Sequence, residues 1–185
     1  MLIKRNEACL IISCMQKEFL PTLIQAQKLI DDCFWLIDFA CQMDIPVIIA
    51  NHKKLGDPIK EFLSFSESII STEMTTFSCL EDEITRKAIE STGRTQFLLA
   101  GAETHISILQ SAQSFQERNI KSYVIADASS ARSEIDHDVA LKRMTLWGVP
   151  VLTKEMVFFE CLGQSTYPNY MDLSLKFLDQ RYLRH

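Results

Sequence analysis

The chain has 185 residues, 47% of them apolar, and a formal net charge of −5; residues 1–185 are therefore expected to form a single domain burying about 70% of the surface its unfolded form exposes. This balance excludes intrinsic disorder and argues against a polyanion-binding face, so no nucleic acid partner is expected. No apolar run approaches the ~20 residues that cross a bilayer, no membrane partner is expected, and six scattered cysteines without CxxC spacing or a secretory leader suit free thiols in a cytoplasmic protein.

In chain order, "ACLII" (8–12) is a continuous apolar run, which predicts a strand covered on both faces and running into Ser13-Cys14. Leu23 to Met43 carries apolar residues at helical spacing and predicts a long helix. "IPVIIAN" (45–51) predicts a second strand, and "HKKLGDPIKEF" a loop around Gly56 and Pro58. "SIIST" (68–72) predicts a short strand, followed by a helix from about Glu81 to Ser91 that stops at Gly93. The alternation then repeats: strand 96–102 with helix 104–118, strand 122–128 with helix 134–147, and strand 150–153 with a short helix. The tail from Tyr167 predicts a loop and an amphipathic final helix. Strands alternating with helices imply parallel crossovers. The fold class is α/β, a Rossmann-like three-layer α/β/α arrangement with a mostly parallel central sheet of about six strands. A pocket is expected where the first strand ends, beside Cys14, Met15 and Gln16.

Four motifs then fall in order on this scaffold: "CMQKEF" (14–19), "MTTFSC" (74–79), "GAETHIS" (101–107), and the closing "DASSARSEIDHDVALKRMTLWGVPVLTKEMVFFECLG" (127–163). Together they resemble the isochorismatase-like cysteine hydrolase family, which includes nicotinamidases and small isochorismatase-domain proteins. The resemblance spans nearly the whole chain. In that family a strand-end Asp accepts a proton, a Lys orients it, and a Cys at a helix start attacks a carbonyl or nitrile carbon. Carried over by position, the Asp is Cys14, the Lys is Met74 and the Cys is Ser107. All three are substituted, while Met15, Gln16, Phe77, Ser78, Gly101 and Glu103 hold the register.

A serine hydroxyl without a base is a weak nucleophile, and neither Cys14 nor Met74 supplies one. The leading expectation is therefore a family fold without the family's hydrolysis, acting by binding a small molecule in the remaining pocket or a protein partner. The rival is an active hydrolase of a small amide, nitrile or ester in which Cys14 has become the nucleophile. A third reading is a structural subunit that partners an active paralogue.

Several residues carry two readings. Cys14 is either a small buried hydrophobe or a redox, ligand-contacting or attacking thiol. Met74 reads as an apolar plug and Ser107 as a helix-start hydroxyl. Gln16, Phe77, Ala102, Glu103 and His105 are the ligand-binding candidates, and by resemblance Ala102-Glu103 holds a cis peptide that aims N–H groups at an oxyanion. Glu103 and His105 also suit solvated surface positions. Arg132 either reaches a bound carboxylate or pairs with Asp127 or Glu134. His52 stands alone where nicotinamidases gather a metal site, so no metal and no cofactor are expected. The apolar "MVFFECLG" stretch, with Phe158 and Phe159, and the aromatic tail suggest a homo-oligomer, a dimer or higher.

Overall fold

Strand β1 (Ala8–Ser13) is buried at all six positions, because it lies near the middle of a sheet covered on both faces. In the computed structural model, which describes residues 1–178, it is joined by β2 (Val47–His52), β3 (Ile70–Met74), β4 (Gln96–Ala102), β5 (Lys121–Ser130) and β6 (Val151–Leu152). The order is β3-β2-β1-β4-β5-β6 and every pairing is parallel. Edge strand β3 instead alternates buried and exposed residues, so its sequence is mixed where β1 is uniformly apolar.

The helices are α1 (Ala26–Gln42), α2 (Glu83–Ser91), α3 (Leu109–Glu117), α4 (Glu134–Leu146), α5 (Lys154–Leu162) and α6 (Tyr170–Phe177). Three of them begin at side-chain caps: Asp82 accepts from the Ile84 and Thr85 N–H groups, Ser133 from Asp136, and Thr153 from Met156. On one face, Trp35 and Phe39 of α1 meet Phe158 of α5 and Phe177 of α6, with ring centroids 5.2–5.4 Å apart for the Trp35–Phe177, Phe39–Phe158 and Phe39–Phe177 pairs. Each such pair adds about 0.5–1.5 kcal/mol beyond its buried area. Phe158 thus belongs to the core, whereas Phe159 remains exposed. Buried Asp32 of α1 is held between Lys28 and Lys154.

Several boundaries differ from expectation. The first helix starts at Ala26, because Ile24 N–H bonds to the Ala131 carbonyl and Gln25 adopts a left-handed conformation. β3 is shifted to 70–74, so Met74 becomes a strand residue, and β5 extends to Ser130. The expected helix 104–118 divides into a π-helical turn over Thr104–Ile108 and then α3. The end of the expected final helix, residues 179–185, lies outside the described residues.

Candidate functional site

Chain order reverses between β1 and β4, since β1 leads outward through α1 to β2 while β4 leads the other way through α3 to β5. In a sheet of this kind the strand ends at such a reversal diverge and leave a crevice. Here the approach is close. Ser13 and Gly101 are register partners, and a Cβ on Gly101 would fall 2.3 Å from the Ser13 carbonyl oxygen. Gly101 also has φ +114°, so glycine alone serves at this position.

Cys14 follows β1 directly, with φ 58° and its N–H bonded to the Ala50 carbonyl at 2.9 Å. Its side chain is 2% exposed. Burial pushes the thiol pKa up to about 12, with Glu103 and Cys79 adding to the rise. The neighbouring Ser107 hydroxyl opposes this shift without closing a hydrogen bond of normal geometry. At neutral pH Cys14 is therefore a protonated, enclosed thiol.

The turn after β4 carries Ala102, Glu103, His105 and Ser107. The described residues contain no cis peptide, so the Ala102-Glu103 bond is trans, contrary to expectation. The turn is made instead by Glu103, which adopts φ 62° and ψ 55° and accepts backbone N–H bonds from Ile106 (2.9 Å) and Ile108 (3.4 Å). π-Helical turns are rare and, where they occur, are frequent at functional sites. Glu103 is buried rather than solvated, and its carboxylate pairs with Arg132 Nε at 3.1 Å. That pairing replaces the expected ones to Asp127 or Glu134: β5 runs on to Ser130 and delivers Arg132 beside the turn. Thr104 Oγ1 forms a 2.9 Å hydrogen bond with His137 Nδ1, tying α4 to the turn, and burial lowers the His137 pKa.

Met74, at the end of β3, is 0% exposed and sits opposite His52 of β2 in register. Gln16 is fully engaged by backbone: its carbonyl accepts from His52 N–H at 2.9 Å, and its amide donates to the His52 and Gly56 carbonyls. It positions the 52–58 loop and has no free donor for a ligand. Phe77 is exposed and stacks on His52, centroids 5.9 Å apart. His52 Nδ1 accepts from Lys54 N–H, and among the described residues no three His, Cys, Asp or Glu side chains converge as metal ligands would.

Cys14, Ser107 and the 102–105 turn are thus brought together, with Met74 two strands away along the same C-terminal edge. Among the described residues, five buried side-chain polar atoms lack a protein partner, and four of them lie on this edge: Asn51 Oδ1, Glu103 Oε1, His105 Nδ1 and Ser107 Oγ. The Arg132 contact to Glu103 Oε1 is an ion pair outside hydrogen-bond geometry, so that oxygen belongs in the group. Buried polar atoms normally find partners, and orphans gathered in one place point to a site. Asn51 and His137 were not legible in the sequence; Asn51 follows the apolar run Val47–Ala50 within β2, and only that switch to a polar residue could have flagged it.

Comparison with known proteins agrees with this geometry. The family model described as the isochorismatase domain matches residues 7–156. The salmon (Salmo salar) isochorismatase domain-containing protein 1 is 29% identical over 161 residues, covering 86% of this chain and 56% of that protein; this chain thus spans little more than half of that relative's length. The structure of the MAR1 ribonuclease from Caenorhabditis elegans superposes with a TM-score of 0.87 at 25% identity, covering 96% of this chain and 92% of that one. The Escherichia coli YcaC gene product, described as an octameric hydrolase of unknown specificity, shares the fold with a TM-score of 0.84 at 21% identity, covering 96% of each chain. With its parallel six-stranded sheet and a domain match over most of its length, this chain belongs to the isochorismatase family.

Proposed function

We propose that this protein acts by binding at the C-terminal edge of its sheet and does not carry out the hydrolysis associated with its fold. The observation that carries the reading is the state of the three positions where the resemblance places the chemistry. Cys14, Met74 and Ser107 are each at most 2% exposed, and the one candidate nucleophile is a thiol pushed up to about 12. In the closed arrangement these groups are ones that water itself barely reaches, and even where a ligand enters, the thiol offers almost no thiolate to attack it. The ligand is a small polar molecule that gives hydrogen bonds to Glu103 and Asn51 and exchanges them with Ser107, the orphaned groups of this edge. Access requires displacement of Arg132, whose side chain is 52% exposed while Glu103 beneath it is 8% exposed.

The test is turnover by the unmodified protein on nicotinamide, isochorismate, and simple amides, nitriles and esters. Rates at background are expected, because loss of one member of a catalytic unit removes on the order of 10⁴- to 10⁶-fold. Robust turnover that disappears in Cys14→Ala overturns the proposal. The triple variant Cys14→Asp, Met74→Lys, Ser107→Cys is expected to regain weak hydrolysis where no single reversion does.

We also read the protein as a homo-oligomer in the cytoplasm. Met156 and Phe159 of α5 and Met171 and Leu175 of α6 are large apolar side chains left exposed, and the YcaC neighbour is described as octameric. A monomer by light scattering at micromolar concentration overturns this part. Nucleic acid binding is not part of the proposal, given the net charge of −5.

A further inference from the structure

We propose a second ligand site, at the opposite end of the sheet from Cys14, for a small amphipathic anion: an apolar ring or acyl body bearing one carboxylate, sulfonate or phosphate. It stands independently of the binding reading above. A cavity of about 550 Å³ opens between the C-terminal half of α2, the loop from α2 to β4, and the loop from α3 to β5. That volume lies within the range of small-molecule sites, about 300–1,000 Å³.

The cavity has an apolar floor. Leu80, Ile89 and Phe97 form it, each buried against the core, and Phe97 is braced by Phe115 with ring centroids 4.8 Å apart. Ile120 closes one side. A floor made of core side chains is rigid and needs little rearrangement to accept an apolar body.

The rim is cationic. Arg86, Arg94, Arg118 and Lys121 line it, against the single carboxylate of Glu90, on a chain whose net charge is −5. Two of these cations are already paired: Arg86 with Glu90 at 2.9 Å and Arg118 with Glu81 at 2.8 Å. The other two have no carboxylate partner among the described residues. Arg94 donates to the backbone carbonyls of Asn6 and Asp44, and Lys121 makes no hydrogen bond or ion pair there. The Lys121 charge is felt by Glu7, but that carboxylate is held by Lys4 at 2.9 Å. Lys121 is the register partner of Gln96, two residues beyond Arg94, so both unpaired cations stand at the same end of β4. The charge on this rim complements an anion, and the apolar floor requires that the anion carry a hydrophobic body.

Helices α2 and α3 both end here, presenting carbonyl-rich C-termini that disfavour an anion. Side-chain cations must therefore provide the attraction, so affinity depends on them individually. Lys121 is the clean position to change, because it is exposed and its ammonium closes no hydrogen bond or ion pair among the described residues.

The experiment titrates the full chain with 2-naphthoate, following backbone amide shifts by NMR, with 2-naphthalenemethanol as the neutral analogue. Shifts are expected at Ile89, Phe97 and Ile120, with naphthoate binding roughly tenfold more tightly than the alcohol. Lys121→Glu is expected to weaken naphthoate by roughly tenfold or more while leaving the alcohol unchanged. Arg94→Gln, which keeps a donor for the two carbonyls, is expected to weaken naphthoate in the same direction. The proposal is overturned by equal affinity for acid and alcohol, by naphthoate binding unchanged in both variants, by no binding at about 1 mM, or by shifts confined to the neighbourhood of Cys14 and Ser107.

Discussion

Alkylation of Cys14 in the native protein separates a binding fold from a relocated nucleophile, and its rate follows from the burial of the thiol. An ordinary cysteine of pKa near 8.5 is roughly 7% thiolate at pH 7.4, whereas a thiol at about 12 is thiolate in roughly one molecule in 40,000. The ratio is about 3,000-fold. The more basic thiolate is intrinsically more nucleophilic by roughly 40-fold, leaving attack about 80-fold slower before access is considered. With 2% of the residue exposed, steric exclusion slows it further. Cys41 is the internal standard: it is the one partly exposed cysteine, and burial followed by the Asp38 charge raises its pKa without enclosing it. Iodoacetamide at pH 7.4, quenched at intervals and mapped by peptide mass spectrometry, is expected to label Cys41 to completion with Cys14 essentially unmodified. If Cys14 reacts as fast as Cys41, and a bound ligand protects it, the enclosed-thiol reasoning fails and Cys14 becomes a candidate nucleophile.

Three further outcomes follow. Gly101→Ala places a Cβ 2.3 Å from the Ser13 carbonyl oxygen at φ +114° and is expected to cost about 3 kcal/mol or more in urea unfolding; a loss below about 1 kcal/mol means β1 and β4 can separate freely. Cys9, Cys14, Cys79 and Cys161 all have folded pKa values raised, to about 11 or 12, above the unfolded value of about 8.5. The unfolded chain therefore loses these protons first: stability is full below about pH 8.5 and falls as pH rises toward the folded values, by up to about 1.4 kcal/mol per pH unit for each thiol. Urea midpoints that stay level from pH 8 to 10 contradict this. Arg132→Gln leaves the buried Glu103 carboxylate without its 3.1 Å cation, a loss of about 1 kcal/mol once the exposure of the arginine is taken into account; its stability is expected to recover in the double variant with Glu103→Gln, and absence of recovery denies the pairing.

The strand cores were legible in the chain because burial on both faces demands uninterrupted apolar residues. Ala8–Ile12, Val47–Ala50 and Phe97–Ala100 announce themselves in this way, and alternation with amphipathic helices then implies a parallel sheet. The family, too, could be read from four motifs in order, and the resemblance placed its three chemical positions at Cys14, Met74 and Ser107. What the sequence could not show was how those positions are enclosed. Glu103 gave no local sign of being buried, since its burial depends on a π-turn and on β5 running far enough to bring Arg132 beside it. His137 lies 33 residues from Thr104, and their hydrogen bond exists only because α4 packs across the start of α3. The cationic cavity at the far end of the sheet likewise joins residues of α2 and two separate loops. Local periodicity is set by a residue's immediate neighbours and is written in the chain. The pKa of Cys14, the partners of Glu103 and the company kept by Lys121 are set by which segments the crossovers fold together, and that was decided only in three dimensions.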